Sequence, residues 1–366
     1  MRKILICGIT GSIGQQALDC LENFKIVGFS FNNNIKLAKE LHEKFPDAHI
    51  YSPSVMSLNT VNNFEELIKK TTPDLILNAI VGFDGIHITR IAIENNIDLA
   101  LANKESLVVA GSIIQKYLKN SLSKIFPVDS EHSSLYELIH NSPKKIKKIY
   151  ITASGGPFYK MDNPYSNDIN FSKAINHPKW SMGYKISIDS ATLINKAFEI
   201  IEAHFLYPDY EIEALYHPEC YVHSMVEYID NTIWMNASEP NMKSSINLAI
   251  NNFRPINAKI SSINFNKFQL SFDVIDTNKW LPIKWANQLI NSNKNIIGLI
   301  MCVLDDYLIQ LFKENIIKFN NIIEYINFFI NKYDSYKIND WNDIYIWKNK
   351  LISECKILIE EKYGKN

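Results

Sequence analysis

The chain has 366 residues, of which 46% are hydrophobic, and its 38 basic and 39 acidic residues leave a net charge of −1. This length can supply two or three packed cores, and the balanced charge lacks the basic excess of a general nucleic-acid-binding protein. We therefore expect no nucleic-acid partner. No apolar run approaches the roughly 20 residues that span a bilayer, so we expect no membrane partner either. The five cysteines are widely spaced without a CxxC pair, which favours reduced thiols and a cytoplasmic location.

Short apolar runs alternate with helical stretches in the first half of the chain. We expect helices from the glycine-rich turn to about residue 23 and at 35–44, 63–70, 86–95 and 112–120. We expect strands at 3–7, 25–30, 49–51, 74–78, 98–102 and 124–128. This alternation predicts an α/β fold with a Rossmann-like parallel sheet. Such sheets bind ligands at the carboxyl ends of their strands.

The pattern changes after residue 148. A strand at 149–152 leads into a long polar stretch that ends near Tyr184, which is too long for an ordinary connection and is either a functional lid or a disordered segment. A helix is expected at 189–205, followed by antiparallel strands at 221–228 and 232–236. Helical spacing from Trp285 onward predicts a small C-terminal helical bundle.

The glycine-rich segment Gly8–Gly14 follows the first strand and opens a helix. Glycines at this place let backbone N–H groups approach a pyrophosphate at the helix N-terminus, although the same residues could form an ordinary turn. The second strand ends at Ser30 without the acidic residue that would bind the ribose hydroxyl of NAD, which favours NADPH. The nearest cation for a 2′-phosphate is Lys36.

Two further strand ends carry charged residues. Asp129 and Glu131 are two residues apart on a predicted loop, where both carboxylates could bind one Mg²⁺ or Mn²⁺; the alternative is a polar turn with solvated acids. Lys104 follows another strand at the ligand-binding edge, and its alternative is a solvated lysine.

The segment Ser154–Pro157 offers a hydroxyl and unhindered backbone donors that suit a phosphate, or it is only a tight turn. In the polar stretch that follows, His177–Gly183 includes Trp180, which would make sense if the segment closes over a ligand. Alternatively, Trp180 only anchors the loop on the protein.

The densest polar patch is Ser190–Glu199. On a helix, Asn195 and Glu199 share one face, and Ser190, Asn195 and Lys196 together offer three phosphate-type donors. Glu199 could complete the metal site, although a plain amphipathic helix would show the same pattern. His223 is interpreted as a packed core histidine rather than an acid–base group, and no zinc site is expected.

Taken together, these motifs resemble the 1-deoxy-D-xylulose 5-phosphate reductoisomerase family over residues 1 to about 250. The segments that carry the resemblance follow one another in the family's order: Thr10–Gly14, Asn103–Ser106, Val128–His132, Ser154–Phe158, His177–Gly183, Lys185–Glu199 and His223–Tyr228. The resemblance implies conversion of 1-deoxy-D-xylulose 5-phosphate to 2-C-methyl-D-erythritol 4-phosphate for isoprenoid precursors. It also implies NADPH, Mg²⁺ or Mn²⁺, a small phosphorylated sugar as substrate and a homodimer.

The resemblance implies a role for each matching residue. Those that would bind NADPH are Thr10, Gly11, Ser12, Ile13, Asn34, Asn103, Glu105, Gly183 and Met242, the last near the nicotinamide. Those that would bind the metal are Asp129, Glu131 and Glu199. Those that would bind the substrate phosphate are Ser154, Ser190, Asn195 and Lys196, with Lys104 and Ser130 at the substrate's hydroxyl and carbonyl end and His177 and Trp180 in the lid. The expected catalytic residues are Lys104, Asp129, Glu131, His177 and Glu199.

The domain organisation follows from the pattern along the chain together with this resemblance. We expect an NADPH-binding domain at 1–129, a catalytic α+β domain at 130–252 with a lid at about 154–184, a linker at 253–284 and the helical bundle at 285–366. The sequence departs from the family after the second strand, where Asn32 and Asn33 replace a Gly-Lys pair. The match fades from Arg254 onward.

Two other functions use the same motifs. A homoserine- or semialdehyde-type dehydrogenase could share the scaffold, although it would not need the phosphate-binding cluster. A non-catalytic nucleotide-binding protein would bind NADPH without turnover, but the three acids Asp129, Glu131 and Glu199 argue against it.

Overall fold

The computed structural model describes residues 1–21, 23–55, 60–178, 183–253, 261–292 and 294–364. The first elements are β1 (Arg2–Cys7), α1 (Ser12–Ala17), β2 (Phe24–Ser30), α2 (Ile35–Lys44), β3 (His49–Tyr51), α3 (Phe64–Thr71), β4 (Leu75–Asn78), α4 (Gly85–Glu94), β5 (Asp98–Leu101), α5 (Glu105–Leu118), β6 (Ile125–Pro127) and α6 (Ser130–His140). They are followed by β7 (Ile146–Ala153), α7 (Phe171–Ala174), α8 (Tyr184–Thr192), α9 (Ile194–Leu206), β8 (Glu211–Tyr216), β9 (Val222–Tyr228), β10 (Ile233–Ala237) and α10 (Met242–Ile250). The last are β11 (Asp273–Val274), α11 (Leu281–Ser292), α12 (Ile296–Lys313), α13 (Phe319–Lys332) and α14 (Trp341–Tyr363).

The chain divides into two compact units, each built from separate segments. Unit 1 consists of Met1–Ser106, Ile114–Glu137 and Asn241–Ser262. Unit 2 consists of Leu107–Ile113, Leu138–Pro240 and Ile263–Asn366. The functional roles expected for the parts of the chain remain predictions.

Unit 1 contains a six-stranded parallel sheet in the order β3-β2-β1-β4-β5-β6. The inner strands are near-continuous apolar runs, as expected for strands that are covered on both faces, and Ile4, Leu5, Ile6 and Cys7 of β1 are fully buried. Late in the sequence, α10 returns to this unit and joins its core. The Rossmann-like parallel sheet expected from the sequence is confirmed.

Unit 2 contains a five-stranded mixed sheet in the order β10-β9-β7-β8-β11. Strands β7 and β8 are parallel, and the other neighbouring pairs are antiparallel. Helix α9 packs against β7 and β8, and α12 contacts α13 and α14. The α+β arrangement and the helical C-terminal part are therefore confirmed.

Several local expectations were wrong. Helix α5 begins at Glu105 rather than at residue 112, and β8 and α10 were not expected. The acidic segment expected as a loop is the start of a helix, because Ser130 and Glu131 form the first turn of α6. The single helix expected at 189–205 is two helices, because Leu193 adopts a left-handed conformation with φ of 61°.

All five cysteines are free thiols, four of them buried and Cys20 half-buried. Burial raises the pKa of the Cys7 and Cys355 thiols to about 12 and that of Cys20 to about 11. These thiols are therefore protonated near neutral pH. Within the part of the chain that the structure describes, we find no helix with the length and apolar character needed to cross a bilayer.

Candidate active site

The glycine-rich turn of unit 1 joins β1 to α1 through positions where a side chain cannot fit. Gly8 has a φ of 84°, and a Cβ there would lie 2.7 Å from the Ala79 carbonyl oxygen. A Cβ on Gly14 would lie 2.5 Å from the Gly8 carbonyl oxygen. The Gly8 N–H donates to the Ser30 hydroxyl at 3.1 Å, so the side chain that ends β2 helps to hold the turn. The result is a tight backbone turn of the kind that pyrophosphate binding needs.

Asn103 and Glu105 brace the loop after β4. The Asn103 amide donates to the carbonyl oxygens of Ile80 and Gly82 at 2.9 and 2.8 Å. A Glu105 carboxylate oxygen accepts from the Gly82 N–H at 3.0 Å. Both side chains are buried. Their contribution in this structure is to shape the loop at the ligand-binding edge of the sheet, and their contact with the cofactor stays a prediction.

Two other expected cofactor residues lie at helix starts in unit 1. The Asn34 side chain accepts from the Leu37 N–H at 3.2 Å and so caps α2. Met242 is the first residue of α10 and packs, partly buried, against the core of unit 1. Their contact with NADPH likewise remains a prediction.

An acidic pair marks the start of α6. One carboxylate oxygen of Asp129 lies within 4.8 Å of one from Glu131, close enough for both to bind one cation. The Lys104 ammonium is 2.7 Å from Asp129 Oδ2, and the Ser130 hydroxyl donates to Glu131 Oε2 at 2.6 Å. The Glu131 N–H donates to Asp129 Oδ1 at 3.1 Å, which fixes the two acids relative to each other. Unit 1 therefore brings together four of the expected site residues.

In unit 2, Ser154 follows β7 and opens a glycine turn. Gly155 and Gly156 both have positive φ, 85° and 63°, which favours glycine. The Ser154 hydroxyl accepts from the Gly156 N–H at 3.3 Å. A Cβ on Gly156 would lie 2.6 Å from the Ser190 carbonyl oxygen, so the turn lies directly against the end of α8. This contact brings together two of the expected phosphate ligands.

His177 belongs to the same neighbourhood. Its Nε2 lies 2.9 Å from the Ser154 hydroxyl. Burial lowers the pKa of His177 to about 4, so the ring is neutral near pH 7. A neutral imidazole can either donate to or accept from the serine hydroxyl, depending on its tautomer.

The remaining donors lie at the start of α9. Asn195 donates to Glu199 Oε1 at 2.5 Å, and the Lys196 ammonium donates to the other Glu199 oxygen. Lys196 and Glu199 are 3% and 1% exposed, so this is a buried charged group rather than a solvated helix face. Ser190 lies on α8 and therefore on a different helix from Asn195, because of the turn at Leu193.

Two expected residues frame the lid segment. Trp180 lies outside the residues that the structure describes. Gly183 is the N-cap of α8, and a Cβ there would meet nothing within 4 Å. The lid and the roles of both residues in it remain predictions. His223 is buried in β9, as expected for a packed histidine.

Sequence reasoning missed two kinds of residue around the site. Ser30 was noted only for lacking a carboxylate, although a hydroxyl at a strand end can accept from the glycine turn. Lys185 and Asp189, one helical turn apart in α8, form a buried ion pair at 2.7 Å. Their spacing of four residues was the available signal.

Comparison with known proteins gives matches along most of the chain. The family model described as 1-deoxy-D-xylulose 5-phosphate reductoisomerase matches residues 4–62 and 52–111. The model of the 1-deoxy-D-xylulose 5-phosphate reductoisomerase C-terminal domain matches 125–207, and that of the DXP reductoisomerase C-terminal domain matches 237–351.

Curated relatives carry the same description. A 1-deoxy-D-xylulose 5-phosphate reductoisomerase from Malacoplasma penetrans is 48% identical over 94% of this chain and 92% of its own length. The protein of that name from Mycoplasmoides gallisepticum is 34% identical over 99% of both chains.

Solved structures agree with this. A DOX-P reductoisomerase in complex with NADPH, fosmidomycin and magnesium has a TM-score of 0.89 and 27% identity, with full coverage of both chains. The 1-deoxy-D-xylulose 5-phosphate reductoisomerase of Zymomonas mobilis in complex with NADPH has a TM-score of 0.84 and 27% identity, and the match covers 98% of this chain and 99% of that one. With matches of this extent, the chain belongs to the 1-deoxy-D-xylulose 5-phosphate reductoisomerase family.

Proposed function

We propose that the protein rearranges the carbon skeleton of 1-deoxy-D-xylulose 5-phosphate and reduces the resulting aldehyde with NADPH, giving 2-C-methyl-D-erythritol 4-phosphate. The observation that carries this proposal is the 48% identity, over 94% of the chain, to a relative with that activity in its name. The fit of the site residues to a metal, a phosphate and a dinucleotide supports it.

The acids fit a divalent cation. Asp129 and Glu131 offer hard oxygen ligands within 4.8 Å of each other, and the Lys104 ammonium already lies 2.7 Å from Asp129, as a cation would. We assign Glu199 as the third ligand, because it is a buried carboxylate in a matching motif. A bound Mg²⁺ or Mn²⁺ would supply the Lewis acidity that stabilises negative charge on neighbouring oxygens of the ketose.

Unit 2 supplies donors for the substrate phosphate: Ser154, Ser190, Asn195 and Lys196. Ser154 and Ser190 lie on segments in direct backbone contact, and Lys196 brings a buried positive charge. Binding energy from a phosphate that does not itself react can position the reacting end of the substrate. Phosphate recognition also separates this proposal from a semialdehyde-type dehydrogenase.

We assign Lys104 and Ser130 to the reacting end of the substrate and His177 to the lid that would close over it. Lys104 and Ser130 lie next to the acidic pair, where they can hold substrate hydroxyl and carbonyl oxygens. His177, with Trp180, would close over the bound substrate and exclude water. Because His177 is neutral near pH 7, it can hydrogen-bond a polar substrate group without adding charge.

For NADPH, the turn formed by Thr10, Gly11, Ser12 and Ile13 would hold the pyrophosphate. Its backbone is open to a close approach, because Gly11 and Ser12 are exposed and glycines form the turn itself. We assign Met242 to the nicotinamide and Asn34, Asn103, Glu105 and Gly183 to the rest of the cofactor. Residues 1–129 would form the NADPH-binding domain, to which Gly183 and Met242 add contacts from outside this range. Residues 130–252 would form the catalytic domain with its lid at about 154–184, 253–284 the linker and 285–366 the helical bundle.

We further propose a cytoplasmic homodimer. The five free cysteines suit a reducing compartment. In the described part of unit 2, β10 is an edge strand that exposes Ile233, Trp234 and Met235 by 48%, 45% and 42%. An exposed apolar edge strand invites pairing with another chain, and antiparallel pairing of two copies of β10 would cover it.

The test is NADPH oxidation that requires both 1-deoxy-D-xylulose 5-phosphate and Mg²⁺ or Mn²⁺. In Glu131→Gln we expect kcat to fall by about a hundredfold or more, since one charged ligand to the cation is lost. Metal titration followed by calorimetry should show weaker binding in the same variant.

The matched control is Glu40→Gln, which removes an exposed carboxylate from α2 of the same unit and should leave kcat unchanged. Near-normal turnover in Glu131→Gln would contradict the metal assignment. Turnover of an unphosphorylated semialdehyde would favour a dehydrogenase, and NADPH binding without turnover under either metal would favour a non-catalytic protein.

A further inference from the structure

A buried charged cluster in unit 2 has no part in the function described so far. Lys185, in the first turn of α8, places its ammonium 2.7 Å from Asp189 Oδ2 and 2.7 Å from Asp305 Oδ2. Asp305 lies on α12, and its neighbour Asp306 has a carboxylate oxygen at 3.4 Å. The side chains of Lys185, Asp189 and Asp305 are 14%, 5% and 0% exposed. We call these three residues the Lys185 cluster.

Holding α8 against α12 with the Lys185 cluster costs free energy, because charged groups are removed from water. Two buried carboxylates share one ammonium, and the Oδ1 atoms of Asp189 and Asp305 accept no hydrogen bond from a residue that the structure describes. Burial raises the pKa of both acids, and the charge of Asp305 raises that of Asp189 further. Apolar residues of similar volume often stabilise a fold as well or better. The arrangement is therefore better explained by the geometry it specifies than by stability.

Helix α8 connects the Lys185 cluster to the proposed phosphate-binding residues. Asp189 precedes Ser190, whose carbonyl oxygen lies against Gly156 in the turn that Ser154 opens. One residue after Thr192, the chain turns at Leu193 into α9, where Asn195 and Lys196 lie. The position of α8 on α12 thus determines where Ser190 lies and where α9 begins.

We propose that Lys185, Asp189 and Asp305 are positioning residues that hold α8 so that Ser154, Ser190, Asn195 and Lys196 converge on one phosphate group. The proposal rests on the proposed function for the identity of the substrate. In this proposal the Lys185 cluster contacts neither substrate nor cofactor, and it acts only by fixing the position of α8.

The main test variant is Asp305→Ala, with Asp305→Asn as the milder change in case the first fails to fold. Removing the Asp305 carboxylate takes away the shorter of the two ion pairs between α8 and α12, because Asp306 stays 3.4 Å from the Lys185 ammonium. The Lys185–Asp189 pair stays in place. We expect the KM for 1-deoxy-D-xylulose 5-phosphate to rise about tenfold in Asp305→Ala and about threefold in Asp305→Asn, since small displacements of positioning groups cost this much or more. The KM for NADPH should rise less, by about threefold at most in Asp305→Ala, because Gly183 is the one assigned cofactor residue next to the cluster and the others lie outside unit 2.

Leu308→Ala is the matched control. Leu308 is fully buried on the same helix, three residues beyond Asp305, and its truncation destabilises unit 2 without removing a charge. It should lower the melting temperature at least as much as Asp305→Ala but leave the KM for the phosphorylated substrate unchanged. Equal effects of both variants on that KM would show a merely structural role and overturn the proposal.

A readout without turnover uses inorganic phosphate as the ligand. Phosphate should raise the melting temperature of the wild type above that in chloride of equal ionic strength, and Lys196→Met should abolish the rise. Asp305→Ala should lose at least half of it and Leu308→Ala should keep it. A wild type that phosphate does not stabilise, or an Asp305→Ala variant with the full rise, overturns the inference. If phosphate raises the melting temperature of the wild type but the wild type does not turn over 1-deoxy-D-xylulose 5-phosphate, the proposed function is refuted and the positioning role is not.

Discussion

At the residue scale, the carboxylates of the site are held in place by hydrogen-bonding partners. Glu199 is nearly inaccessible to solvent, yet it accepts hydrogen bonds from both Asn195 and Lys196. A buried carboxylate needs such partners. Asp129 is held in the same way by Lys104 and by the Glu131 N–H. Each acid is thus kept in a defined orientation by neighbours from its own unit.

The neutral state of His177 has a consequence for stability. Its pKa in the folded protein is about 4, below the ordinary value of 6.5, because the ring is partly buried. The unfolded chain therefore binds a proton more readily between these values, so the contribution of His177 to stability is complete above pH 6.5 and is lost as the pH falls toward 4. On going from pH 7 to pH 5, we expect the wild type to lose about 1 kcal/mol more than His177→Gln, after a discount for partial exposure.

Denaturant unfolding of both proteins at pH 8, 7 and 5 would measure this difference. Between pH 8 and 7 the gap between the two proteins should stay nearly constant, which serves as an internal control. A gap that is also unchanged at pH 5 would mean that the pKa of His177 is not lowered in the fold.

At the element scale, helix packing in unit 2 depends on glycines that admit no side chain. A Cβ on Gly298 of α12 would overlap the carbonyl oxygen of Val108, and one on Gly111 would overlap the Phe205 ring. Val108 and Gly111 belong to the part of α5 that lies within unit 2. The two helices α5 and α12 therefore approach closely at a backbone contact.

Gly298→Ala tests this contact. Alanine is the better helix former by about 1 kcal/mol, but overpacking against a backbone atom should outweigh that gain and cost about 2 kcal/mol net. The free energy of unfolding from urea titration would show the sign. Gln310→Ala, at an exposed position of the same helix, should stay within about 0.5 kcal/mol of wild type. A Gly298→Ala protein that is more stable than wild type would contradict the packing described here.

The elements that the sequence predicted well are those with a strong local pattern. Strands β1 to β6 are short apolar runs between polar turns, and α2 and β3 have the bounds that were expected. The start of α5 was missed because the helix was expected only from residue 112, whereas the buried run Leu107, Val108 and Val109 already belongs to it. The break between α8 and α9 was missed because Leu193, and not a glycine, adopts the positive φ.

The sequence predicted the chemistry of the candidate site, but it did not predict which residues contact one another there. The motifs indicated which residues could bind metal and phosphate. They gave no sign that Asn103 and Glu105 brace a loop, since those contacts go to backbone atoms about twenty residues away. They also gave no role to Lys185, whose second partner Asp305 is 120 residues further along the chain. Pairings at such distances depend on the tertiary fold rather than on local spacing.

At the scale of the whole molecule, the proposed homodimer rests on the exposed side chains of β10. Trp234→Lys should convert the dimer to a monomer at micromolar concentration, because a charge at the centre of an edge-to-edge contact opposes pairing. Light scattering coupled to size-exclusion chromatography would give the mass directly. Ile346→Lys, at a 55% exposed apolar position of α14, is the control and should remain dimeric. A wild type with the mass of one chain would refute the dimer.

The segmented construction of unit 1 sets the order in which it can be completed during synthesis. All six strands of its sheet have been synthesised once Pro127 is added, but Ile246, Ala249 and Ile250 of its core come only with α10. Ile246 and Ile250 each contribute about 1.5–3 kcal/mol when buried, so the nascent sheet keeps an uncovered apolar face while most of unit 2 is being translated. Premature termination between residues 127 and 242 would release a chain that has every strand of this sheet but lacks the side chains of α10 that complete its core, and such a chain is a substrate for chaperones and proteases.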